Sequence, residues 1–294
     1  MLTVLENDYL KVAIAKKGAE LRNIIHKQEG FDYLWQGAEG YWSKQAPNLF
    51  PIVGRLNENK YLKAGKVYEM NQHGFARDLD FEVVDASNQT VTFSLQENTE
   101  TLERYPYKFQ LKITYQLEGN QLMVSYQVKN NSDEEMPYSL GGHPAFHLPI
   151  NGEGTFEDYQ LQLSPVPEKL DYFEMDPPPY LSGRKLPLDV LNEGAVPINR
   201  DLFGAGLVMD TQGLIKQATL TSAKSKHSIS LEMGDFPYLC LWTEEGVEAP
   251  FVCVEPFHGV ADEYGPVGAL SDKRGINSLA VSESRTHQFA MKFT

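Results

Sequence analysis

Short runs of alternating apolar and polar residues recur from one end of this sequence to the other. No long segment carries the helical period of about 3.6 residues. Neighbouring side chains on a strand point to opposite faces, so a two-residue period marks half-buried strands. Runs at residues 10–14, 90–95, 109–117, 121–128, 161–163, 218–221 and 228–233 carry it, and runs at 238–243, 251–255, 277–282 and 287–293 continue it. Turn residues fall between them, as at Glu118-Gly119-Asn120 and Asn130-Asn131-Ser132-Asp133. Residues 99–105, ahead of Pro106, are the stretch expected to form a short helix. Many strands without crossover helices predict an all-β protein, an antiparallel sandwich or barrel.

The chain has 294 residues, 41% hydrophobic and 22% charged, which is enough to bury a substantial core. No flexible linker, internal repeat or low-complexity tract divides it, so residues 1–294 are read as a single domain. Residues 168–187, with Pro177, Pro178 and Pro179 in succession, are expected to be a long surface loop. A formal net charge of −14 argues against a nucleic-acid partner, which would require basic surface. It leaves room for a small phosphorylated ligand, because one local cation can dominate a pocket. The N-terminus lacks the basic start of a secretory signal and meets Glu6 and Asp8 before any apolar run develops. No stretch approaches the ~18 apolar residues of a membrane span. Cys240 and Cys253 both lie in apolar, strand-like segments and read as free thiols packed as small hydrophobes. A cytoplasmic protein is expected.

Four islands place ionisable residues where strands would carry apolar ones. In 47–55, Arg55 follows an apolar, proline-flanked run and is expected at the rim of a concave face. There its planar fork can donate to several hydroxyls at once, although a surface salt bridge accounts for it equally well. In 72–78, His73 precedes Gly74, which suggests a tight turn beside an inward-pointing ring; alone it reads as a structural histidine. In 139–147, Gly141, Gly142 and Pro144 are expected to impose an irregular backbone around His143, and Phe146 offers a ring for the apolar face of a ligand. His143 and His147 have the i,i+4 spacing of metal ligands, but Pro144 and the glycines break the helix this would need. In 250–259, Glu255 ends an apolar strand before Pro256, with Phe251 and Cys253 expected on its face and 238–242 as its hairpin partner. A carboxylate in such surroundings is either paired or functional.

The segments PNLFPIVGRL (47–56), QHGFARD (72–78), GGHPAFHLP (141–149) and FVCVEPFHG (251–259) resemble the signature stretches of the aldose 1-epimerase (galactose mutarotase-like) superfamily. In detail they are closest to its LacX-like branch. The resemblance begins at GAELRNI (18–24) and runs to the last strand. It implies the family's large antiparallel β-sandwich, with a sugar bound on an open, concave sheet. It also implies His143 as general acid, Glu255 as general base, and Arg55 and His73 as hydrogen-bonding partners of the sugar hydroxyls. The family's substrate-binding aspartate has Asp201 and Asp210 as nearby candidates here, in a local sequence unlike the family's.

Mutarotation opens a pyranose by taking the proton from the C1 hydroxyl while protonating the ring oxygen. Rotation about C1–C2 and reclosure give the other anomer. One base and one acid suffice, so neither cofactor nor metal is expected, in keeping with the absence of Walker, Rossmann or zinc signatures. A glutamate near its usual ~4.3 and a histidine near ~6.5, with the carboxylate's field favouring the imidazolium, are expected to supply the ionised pair. The expected partner is therefore a free aldohexose. The alternatives are a hexose 6-phosphate, with Arg77 and Lys60 as further cations, and a non-catalytic sugar-binding protein, which would have no need of the acid–base pair.

Overall fold

The computed structural model describes residues 2–294. Its framework is two large antiparallel sheets. The larger has nine strands, centred on Ser284–Phe293, Gln121–Asn130 and Phe109–Glu118. Thr90–Gln96 and Glu82–Ala86 extend it on one side. Ile229–Glu232, Gln217–Ser222, Tyr159–Ser164 and Ala195–Pro197 extend it on the other. The second sheet runs in the order Leu181–Pro187, Asp171–Met175, Leu207–Asp210, Tyr238–Trp242, Phe251–His258, Leu140–Gly142, Asn48–Leu49, with Ala145–His147 also paired to Phe251–His258. A three-stranded sheet of Leu2–Glu6, Leu10–Ala15 and Leu21–His26 stands apart.

The two-residue period explains the larger sheet directly. Phe109, Leu111, Ile113, Tyr115 and Leu117 are buried, and Leu122, Val124, Tyr126 and Val128 bury the same face of the next strand. Each such side chain contributes about 1.5–3 kcal/mol on removal from water. Glu118 pairs with Gln121, leaving the expected two-residue turn, and Gly119 supplies its positive φ of 55°. The short helix is Thr99–Arg104, capped by Asn98, whose side chain accepts from the Thr101 N–H while Thr101 answers in a capping box.

The second sheet is buried on both faces, so its central strand Phe251–His258 shows almost continuous burial. Val252 and Val254 enter the core shared with the larger sheet. Phe251 and Cys253 pack on the opposite face with Trp35 and Trp42. That outer face, followed two and four residues beyond Cys253 to Glu255 and Phe257, is where the apolar packing gives way to ionisable groups.

Residues 168–187 are not one loop. Asp171–Met175 and Leu181–Pro187 form a hairpin at the edge of the second sheet, and the three prolines occupy only its turn. The prolines forbid ladder bonds locally, but the flanking residues remain free to pair. The run expected at 277–282 is a strand only over Asn277–Leu279. Among the described residues, no helix is long and apolar enough to cross a membrane.

Candidate active site

Side chains from all four islands line one cleft of about 280 Å³ on the outer face of the second sheet. Arg55, His73, His143 and Glu255 all reach it.

The backbone that carries them is tied to buried polar anchors. Asn48 is buried, with its amide donating to the carbonyls of Gly18 and Ala19 and its oxygen accepting from Tyr126 at 2.6 Å. The Glu20 carboxylate accepts the N–H groups of Gln45 and Ala46 just ahead of it. This fixes where the chain leaves the short strand Asn48–Leu49 toward Arg55. The Arg55 guanidinium donates to Gln72 Oε1 at 2.8 Å, and its buried Nε–H has no acceptor. Its partner is an amide in the cleft and not a surface carboxylate.

His73 adopts a positive φ of 65°, and Gly74 follows at 74°. A Cβ at Gly74 would fall 2.2 Å from the Phe50 carbonyl oxygen, so only glycine fits this crossing. The turn aims His73 inward, where its Nδ1 accepts the Gly54 N–H at 3.2 Å and its ring meets that of His143 edge-on, with centroids 5.6 Å apart. Burial, together with His143, Arg77, Lys273 and Arg55 around it, holds His73 well below the usual histidine range and hence neutral.

Gly141 and Gly142 are needed for space. They lie in a regular short strand, Leu140–Gly142, and a Cβ on either would approach Phe257 or Phe289 within 3.0 Å. The expected irregular backbone is therefore confined to His143 and Pro144, between two strands. His143 is stacked against Trp42, centroids 5.0 Å apart and planes 30° apart, and edge-on to Trp242 at 5.8 Å.

Its Nε2 lies 3.1 Å from Glu255 Oε2. Glu255 is only 1% exposed and stands opposite Cys240 on the neighbouring strand, as the hairpin reading required. Glu255 Oε1 and His143 Nδ1 have no partner. Two hydrogen-bonding positions without a protein partner thus flank a close acid–base contact.

The charge state differs from the expectation of an ionised pair. Burial pushes Glu255 well above the usual carboxylate range, with a Cys240 contact opposing it. Burial also pulls His143 down to about 3, which Arg77 reinforces. Desolvation of two charges outweighs the carboxylate's field and favours the uncharged pair, a protonated Glu255 beside a neutral His143.

Several expectations are corrected. Phe146 points into the core against Phe293 and offers no ring to the cleft. The rings that line it are Trp42, Trp242 and Phe257. Trp242 comes from the strand paired with that of Glu255, but Trp42 sits in a loop without any alternation to reveal it; a tryptophan in a polar loop was its one signal. Arg77 also lines the cleft, whereas Lys60 pairs with Glu58 away from it. Neither aspartate candidate reaches the site. Asp210 is buried in an ion pair with Lys185, and Asp201 lies in an acidic groove with Glu244, Glu245 and Glu248. Ala205 and Val208 line the cleft nearby instead.

His147 shares no converging ligand group with His143 among the described residues. His143, Glu255 and Cys253 do converge, but burial raises the Cys253 thiol well above its usual range and leaves it a protonated, poor ligand.

The fold and site together are those of a β-sandwich that holds a close histidine–glutamate contact in a cleft on the outer face of its second sheet. A family model for aldose 1-epimerase matches residues 1–276, and the chain belongs to that family. The chromosomal protein LacX of Lactococcus lactis subsp. lactis is 32% identical over 294 residues, covering 95% of each chain. A galactose mutarotase-like protein from Lactobacillus casei ATCC 334 superposes with a TM-score of 0.95 at 36% identity, covering 100% of both chains. A galactose mutarotase-related enzyme from Lactobacillus acidophilus gives 0.94 at 32%, covering 100% of this chain and 97% of the other.

Proposed function

We propose that this protein is an aldose 1-epimerase that interconverts the α and β anomers of an aldohexose. The observation that carries the reading is the 3.1 Å contact between His143 Nε2 and Glu255 Oε2 in a cleft lined by tryptophans. A sugar lying on Trp42 and Trp242 would present apolar C–H faces to the rings and its hydroxyls to Arg55 and His73.

The entering C1 hydroxyl donates to the Glu255 oxygen that lacks a partner, stabilising the carboxylate and moving the shared proton to His143. Glu255 then takes the O1 proton while His143 protonates the ring oxygen, and the C1–O5 bond breaks to leave an open-chain aldehyde. After rotation about C1–C2 the transfers run in reverse: O5 attacks C1, its proton returns to His143, and Glu255 protonates O1. No proton is gained or lost over the cycle. The reading extends to the whole of residues 1–294 as one domain.

The experiment is anomer exchange by NMR for the wild type, Glu255→Gln and His143→Asn, with binding by calorimetry. Each variant keeps hydrogen-bonding capacity and loses proton transfer, so turnover should fall by about 10²–10⁴ while binding changes a few-fold. Sugar binding by the wild type without faster exchange, or full rates in both variants, would replace the enzyme with a sugar-binding protein.

The place of Arg77 beside Arg55 in the cleft favours a second reading, a hexose 6-phosphate as substrate. Both guanidiniums are engaged by Gln72, however, and Glu255 shares the cleft. Free glucose or galactose should therefore have the higher kcat/KM. A preference of about tenfold for the phosphate, ~1.4 kcal/mol, would select the second reading.

A further inference from the structure

Away from the cleft, Asp235, His258 and His287 converge. The Oδ2 atom of Asp235 lies 2.6 Å from His287 Nδ1 and 3.1 Å from His258 Nε2, and the three ligand atoms are within 4.8 Å of one another. The three residues come from three elements. His258 ends the strand of the second sheet that carries Glu255, His287 lies on Ser284–Phe293 of the larger sheet, and Asp235 sits on the turn between Ile229–Glu232 and Tyr238–Trp242.

We propose that this triad is a divalent transition-metal site, with zinc as the best-fitting ion, that pins the two sheets together. Two imidazole nitrogens and one carboxylate oxygen are a zinc-type donor set, too nitrogen-rich for calcium or magnesium.

The surroundings are arranged as a metal site requires. Asp235 Oδ1 accepts the Gln288 N–H at 3.2 Å, which turns Oδ2 toward the histidines. The turn itself is seated on that backbone, since a Cβ at Gly234 would fall 1.8 Å from the Gln288 carbonyl oxygen. On its far side, His287 Nε2 lies 2.8 Å from the Tyr138 hydroxyl, which is buried. Outer partners of this kind fix the ring and tautomer of a metal-bound histidine.

At present both ring N–H groups converge on the one Asp235 oxygen. An ion at ~2.0–2.2 Å from each donor needs them about 3.2–3.6 Å apart, so the 2.6 Å contact must open by about 0.6–1.0 Å and the 3.1 Å contact by about 0.5 Å at most. The side chain of Asp235 is 48% exposed on its turn and can yield, and it leaves solvent access for a water as fourth ligand. For neutral rings the exchange needs no net proton: each ring hydrogen moves to the other nitrogen, and that of His287 then donates to Tyr138.

The test is a zinc titration of the chelator-treated full-length protein by calorimetry, with thermal unfolding at each metal concentration. One equivalent of zinc should bind saturably and raise Tm. Asp235→Asn and His258→Gln should each weaken Kd by at least tenfold and abolish the rise in Tm. Asp235→Asn sits on an exposed turn and keeps the hydrogen-bonding shape, so it decides the matter if the His258 variant does not fold. No saturable binding, or the same Kd in the wild type and Asp235→Asn, overturns the site; the latter result would move the bound zinc to His26, Glu29 and His227 or to His143, Cys253 and Glu255.

Discussion

Lowering the pH is the perturbation that tests the single-proton pair most directly. Burial places His143 near 3 against an ordinary 6.5. A depression of roughly 3.5 pH units corresponds to about 5 kcal/mol in favour of the neutral ring. Glu255 moves the opposite way, above its ordinary 4.5. The pair therefore gains a second proton only in strong acid and loses its one proton only well above the carboxylate range. Enzyme-catalysed exchange, corrected for the spontaneous rate in an enzyme-free control, should keep kcat/KM within about twofold as the pH is lowered from ~6.5 to ~5. An imidazole of ordinary affinity, required in its neutral form, would instead cost about 30-fold by ~pH 5. A half-point near 6.5 on the acid limb would refute the view that desolvation controls this pair.

Glu255→Gln should stabilise the protein while disabling it. The unfolded chain releases the Glu255 proton near 4.5 and the folded chain retains it, so wild-type stability falls as pH rises above 4.5 toward the folded value. Glutamine has no such dependence, so the Tm difference in its favour should grow as the pH rises above about 4.5; a constant difference would contradict the burial argument. Arg55→Ala should act mainly on KM, by roughly 10- to 100-fold, because its contacts exist in the ground state as well; an equal loss in kcat alone would place it in the proton-transfer step. Exhaustive treatment with EDTA should leave the exchange rate unchanged, since every proton transfer is assigned to side chains. Activity lost to the chelator and restored by zinc in Asp235→Asn as well as in the wild type would show that the cleft works through a metal.

The sequence by itself determined the strands that alternate and the ionisable residues that stand out from them. Period-two alternation survives wherever one face of a strand meets the core and the other meets solvent, which is why Phe109–Glu118 and Gln121–Asn130 could be read almost to the residue. The same reading placed Glu255 with Phe251 and Cys253, because alternation along one strand is a local property. Arg55, His73, His143 and Glu255 stood out as ionisable residues in apolar or glycine-rich settings, and all four line the cleft. Tertiary structure alone decided what depends on distant partners. Trp42 and Arg77 enter the cleft through loops, Phe146 turns away into the core, and Asp210 is taken by Lys185. Residues 168–187 became a hairpin because an edge of the second sheet was there to receive them. The proton on Glu255 is the deepest case: a carboxylate near 4.5 in the unfolded chain keeps its proton here because folding removes the water that stabilised its charge.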